Sequence, residues 1–130
     1  MKSYTNTTSV PMTPATLASL CSLVIPAGAW MIYGNASFRM GGNAGFIQVS
    51  ISNSSTCVDD TLQVTQYNQT TANGDNMTVP VMLRYYAGRG MTLYVLALAA
   101  SSSATGNSGA GVYSCMQAVR VGKKLLFKNV

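Results

Sequence analysis

Ile25-Pro26-Ala27-Gly28-Ala29-Trp30-Met31-Ile32-Tyr33-Gly34-Asn35-Ala36-Ser37-Phe38 begins with a Pro/Gly turn and then alternates. Trp30, Ile32, Ala36 and Phe38 fall on one side, and Tyr33, Asn35, Ser37 and Arg39 on the other. Successive side chains of an extended backbone point to opposite faces, so this period of two predicts a strand with one face in a core. The same plan returns at Ala87-Gly88-Arg89-Gly90, followed by Met91 to Ala99. A chain built from such units is an all-β sandwich.

Working outward, Leu17 to Val24 reads as the strand before the quoted turn, and Phe46 to Ser52 as the one after it, with Ile47, Val49 and Ile51 inward. Thr61 to Tyr67, Thr78 to Tyr86 (Val79, Val81, Leu83 and Tyr85 inward) and Val112 to Val121 read as further strands. Turn residues separate them: the cluster Gly41 to Gly45, and Asn73-Gly74 within the polar run Asn68 to Asn76. Ser101 to Gly111 reads as a long Ser/Gly/Ala loop. About seven or eight short strands at this spacing fit a sandwich or barrel. No helical period, heptad or internal repeat interrupts them. Met1 to Pro14 is rich in Thr, Asn and Ser, carries Pro11 and Pro14, and reads as an extended arm. That divides the chain into an arm, 1–14, and one domain, 15–130.

Met91 to Ala100 differs from the other strands. Leu93, Val95, Ala97 and Ala99 satisfy one face, yet Tyr94, Leu96 and Leu98 occupy the other. Strands apolar on both faces lie between two layers. In a sheet sandwich the second layer is expected to be another subunit.

The composition agrees with a chain that hides part of itself. Of 130 residues, 48% are hydrophobic and only 8% charged, against about a quarter charged in ordinary soluble domains. At this length roughly two thirds of the unfolded surface is buried on folding, so a core forms without a metal or disulfides. The net charge of +5 comes from eight Lys and Arg against three Asp. Arg120, Lys123, Lys124 and Lys128 crowd the C-terminus. They read as a solvated tail, since no nucleic-acid motif or aromatic interleaving accompanies them. No nucleic-acid or membrane partner is expected. Cys21, Cys57 and Cys115 are odd in number and widely spaced, with no histidine to complete a zinc site. They read as small buried thiols, with a single disulfide plus one free thiol as the alternative.

Ala15 to Ala29 resembles a signal-peptide core, but cleavage there would delete a turn and a strand that the sandwich needs. Asn-x-Ser/Thr sequons at Asn6, Asn35, Asn53, Asn68 and Asn76 read as polar β-surface rather than glycosylation sites.

The order "apolar strand, I-P-A-G-A, strand, G-G-N-A-G-F, strand", then "Y-Y-A-G-R-G-M-T-L-Y-V" and "S-C-M-Q-A-V-R-V-G", resembles the tumour-necrosis-factor-like jelly roll. That fold is shared with globular complement heads and many phage surface proteins. The resemblance covers about residues 15 to 122, from the Pro26 turn to the closing Ala118-Val119-Arg120-Val121-Gly122. It implies a homotrimer about a threefold axis, with Tyr94 and Tyr113 near that axis beside Leu96 and Leu98. No Gly-X-Y stalk or fibre shaft is present.

Residues that do chemistry are scarce. Without His or Glu there is no Ser-His-Asp or Cys-His pair and no paired-carboxylate site beyond Asp59, Asp60 and Asp75. The glycine clusters lack the Lys-Ser/Thr of a phosphate loop. No catalysis, metal or cofactor is expected; a weak calcium site on the three Asp is the bare alternative. The composition, the arm and the two-faced strand lead to a virion protein: a trimeric decoration or cement subunit on a tailed-phage capsid, assembled in the host cytoplasm. Its partners would be capsid or other virion proteins, met through Val10, Pro11 and Met12 of the arm adding to a sheet edge. The alternatives are the receptor-binding head of a tail fibre, for which a host surface glycan would be the ligand, and a secreted trimeric ligand.

Overall fold

The computed structural model describes residues 2–56, 61–68, 70–108 and 113–122. In chain order the strands are β1 (Lys2–Asn6), β2 (Val10–Met12), β3 (Ala18–Ile25), β4 (Gly28–Met40), β5 (Phe46–Ser52), β6 (Thr61–Asn68), β7 (Asn76–Ala87), β8 (Met91–Ala99), β9 (Ala104–Gly106) and β10 (Ser114–Gly122). All pairings are antiparallel. The smaller sheet runs β3-β8-β5-β6. In the larger, β4 pairs along its whole length with β7 on one side. On its other side it meets β10 over Ala29 to Asn35 and β9 over Phe38 to Met40. β1 lies outside β10 and β2 outside β9. The ten strands thus form eight rows, four per sheet, in the order of a jelly roll.

The alternation that predicts β4 is the one that builds the core. Trp30, Ile32, Ala36 and Phe38 are buried, and they meet Ile47, Val49 and Ile51 of β5 and Leu93, Val95, Ala97 and Ala99 of β8 in a single cluster. Gly34 belongs to the same inward row. A Cβ there would lie 3.0 Å from a Val95 methyl and 3.3 Å from a Val81 methyl, so the missing side chain lets the two sheets approach.

Two sequence expectations need amendment. The Ser101 to Gly111 loop contains a strand, β9, because Ala104 and Gly106 are small enough to sit buried against Met40 and Phe38. The segment read as an extended arm that would add to a partner's sheet edge is extended, but it pairs with β10 and β9 of its own chain. Met12 is buried in the core, and Val10 packs against it.

β4 changes neighbour between Asn35 and Phe38, and a cluster of side chains closes the gap. The Ser37 N–H donates to Ser114 Oγ at 2.9 Å, and the Ser37 carbonyl accepts from the Asn107 N–H at 3.1 Å. Asn107 takes a left-handed backbone, φ 56°, a conformation Asn tolerates better than most residues. Its buried amide nitrogen donates to the carbonyls of Thr8 (3.2 Å) and Leu20 (3.0 Å), and its oxygen accepts from the Ser114 N–H at 2.7 Å. Leu20 is the extra residue of a β-bulge, where β3 slips against β8 between Ser19 and Cys21. Its carbonyl also accepts from Asn6 Nδ2 at 2.8 Å. One residue, through its side-chain amide and its backbone N–H, therefore ties together the N-terminal row, β3, β4 and β10.

Asn107→Ala leaves the Ser114 N–H and the Thr8 carbonyl without this partner and strains the backbone. The expected loss is about 3 kcal/mol in chemical denaturation, with faster amide exchange over residues 2–12. Asn107→Gly relieves the strain but not the hydrogen bonds and should also be destabilised. A loss below about 1 kcal/mol for the alanine variant would show that the cluster does not hold the rows together.

Candidate interaction faces

Among the described residues no three His, Cys, Asp or Glu side chains come together as metal ligands. The Asp75 carboxylate braces its own turn, accepting from the Ala72 N–H at 2.7 Å. Asp59, Asp60, Cys57, Lys123, Lys124 and Lys128 lie outside the described residues. Arg120, though exposed, is held against the chain. Its guanidinium sits 4.7 Å over the Trp30 ring and donates to the Ala27 carbonyl at 3.2 Å. The same turn is held from below by Trp30 Nε1, which donates to the Pro26 carbonyl at 3.0 Å. Two of the sequon asparagines are engaged internally: Asn6 with Leu20, and Asn35 with the Cys115 sulfur at 3.4 Å.

Among the described residues, several exposed large hydrophobic side chains lie on the outer face of the larger sheet. The register aligns Gln117, Tyr33 and Met82 in one row across β10, β4 and β7, and Cys115, Asn35 and Pro80 in the next. These six side chains line a concavity of about 470 Å³. Tyr33 and Tyr86 are each 41% exposed, Met82 55% and Val121 37%. The period of two along β4 places Tyr33 outward, as found. The signal for the rest was the unused parity of β7, where Pro80, Met82, Arg84 and Tyr86 alternate with the core residues. A second cleft of about 390 Å³ runs between the edges of β1 and β3, beside Tyr4 and Val24.

The residues expected to line a trimer interface lie elsewhere. β8 is central in the smaller sheet, and Tyr94, Leu96 and Leu98 point away from the core cluster. Tyr94, Leu98 and Tyr113 are half-buried. Leu96 has no exposed surface, and neither do Ser50 and Ser52 beside it on β5. No partner reaches Leu96 without a change in the chain's own packing. Of the expected attachment residues only Pro11 is exposed; it pairs with Thr105 on the outermost row, where a residue lacking an N–H is tolerated.

No protein-family model and no curated protein matches the sequence. Solved structures share its fold. The VP2 subviral particle of infectious bursal disease virus matches 91% of this chain and 32% of its own, with 12% identity and a TM-score of 0.53. The Gt strain of the same virus matches 91% of this chain and 31% of its own, at 13% identity and a TM-score of 0.50. The chain spans about a third of the length of these proteins. At this identity the likeness establishes the architecture alone, a two-sheet β-sandwich.

Cys21 and Cys115 are free thiols. Burial, with Cys115 adding to it, pushes the Cys21 thiol from 9.0 to about 11. The fold therefore favours the neutral thiol. This contribution is present in full below the ordinary thiol pKa and is lost as pH rises from about 9 through about 11, by about 1.4 kcal/mol per pH unit. A Cys21→Ala variant should show a shallower alkaline loss of stability over that window than the wild type. Parallel curves for the two proteins would contradict the assignment.

Proposed function

We propose that the chain is a non-enzymatic virion structural protein, a homotrimeric decoration or cement subunit on the capsid of a tailed phage. The observation that carries this reading is a jelly roll with uncharged apolar side chains on the outer faces of both sheets, in a chain only 8% charged. A surface so poor in charge and rich in Tyr, Met and Val has the composition of interface cores. The likeness to VP2 supports the architecture, because there the same sandwich serves in a viral particle. The topology supports the resemblance drawn from the turn motifs: the closing strand β10 lies between the first row and β4 in one sheet, and β8 between β3 and β5 in the other.

The trimer contact is assigned to the β8 face, through Tyr94 and Leu98, with Leu96 packed beneath as support and Tyr113, just before β10, as the further contact that the resemblance implies. Leu98→Asp then places a charge in a desolvated contact while leaving the inward row of β8 untouched. The expected result is a folded monomer, by light scattering, against a three-chain mass for the wild type. Leu96→Asp should instead lower the stability of the single chain, since that side chain is buried without a partner. A monomeric wild type at micromolar concentration would overturn the reading.

A further inference from the structure

We propose that the outer face of the larger sheet attaches the subunit to a different protein of the particle, through a patch on that protein with an apolar centre and a rim of carboxylates. This rests on the decoration reading above and names the partner surface that it needs. Val10 and Met12, the apolar residues expected to anchor the arm, are taken up at home: Met12 is in the chain's own core, and Val10 packs against it. Attachment must use a surface that the folded chain leaves open. The β4–β7–β10 face is that surface: Tyr33 and Met82 are exposed at the concavity, Tyr86 lies further along β7, and Val121 is exposed near the end of β10. Together they offer roughly 300 Å² of apolar area, a patch of the size that marks interaction sites on single domains. That is enough for the centre of a standard interface, which needs about 800 Å² per partner including its rim.

Charge decides between a second copy and a different protein. The face carries Arg84 among its apolar residues and Arg39 at one end, and both are exposed. Asp75 is the one carboxylate among the described residues, and it is held by its own turn. The whole chain offers three Asp to eight Lys and Arg. A second copy brings many more cations than carboxylates, and packing two such faces together sets cation against cation. The C-terminal segment, with Lys123, Lys124 and Lys128, meets the same objection. A nucleic acid fits poorly for a different reason. Its binding is dominated by neutralised phosphates, and this face has an apolar centre with sparse cations.

Hydroxyl-radical footprinting tests the proposal on the free protein and on gradient-purified particles, with mass spectrometry reading both occupancy and oxidation. The expected result is a chain present in the particles, with Tyr33, Met82 and Tyr86 at least fivefold less oxidised there than in the free oligomer. Met82→Glu should lower particle occupancy at least tenfold while leaving the mass of the free oligomer unchanged. Particles without the chain would overturn the decoration reading and this inference with it. A chain present with the three residues equally oxidised in both states would overturn this inference alone. So would protection already complete in the free oligomer, which would make the face a contact between copies or a seat for the chain's own tail. Release of the chain from particles by nuclease would overturn it in favour of a nucleic acid.

Discussion

Asn107 sets a left-handed turn and a buried amide at the point where four segments of the chain meet, and the jelly roll is arranged around that constraint. β4 is longer than any strand that pairs on its β9/β10 side, so its ladder must change partners. At each change backbone groups lose their neighbours, and buried groups without partners cost about as much as a lost hydrogen bond. Ser37, Ser114 and Asn107 replace the missing ladder with side-chain bonds. The bulge at Leu20 presents its carbonyl to the same cluster. Small polar side chains make this junction because they carry donors and acceptors without the bulk that would part the sheets.

The same arrangement covers one edge of the larger sheet; β7 forms the other. Residues 2–12 cover β10 and β9 in two short strands, and Pro11 together with the turn between them interrupts the outermost row. Short, interrupted edge strands resist pairing with other chains. On the faces the chain keeps Tyr, Met, Leu and Val rather than Lys and Glu, and this is the physical basis for reading it as an assembly subunit.

Much of this was legible in the sequence, and the exceptions share a cause. The alternation of β4, β5 and β7 and the turn residues at Pro26 to Gly28 and Asn73-Gly74 identify the strands to within a residue or two, because period and turn chemistry are local properties. β9 escaped because Ala104-Thr105-Gly106 has no alternation of large side chains to detect; only its pairing with Phe38 to Met40 makes it a strand. β1 and β2 were legible as extended but not as self-paired, since the choice of partner is a tertiary property. Leu96 shows the limit most clearly. Parity puts it on the outer face, yet its burial depends on what covers that face. Arg120 was read with the tail lysines by adjacency, whereas its stacking on Trp30 joins residues far apart in sequence.

An electron cryomicroscopy reconstruction of the particle at side-chain resolution tests the central claim most directly. The account predicts surface density that fits this two-sheet sandwich, three copies around each local threefold axis, with no copy inside the shell. A particle whose density is fully accounted for by other proteins, with this chain found only outside it, would contradict the account.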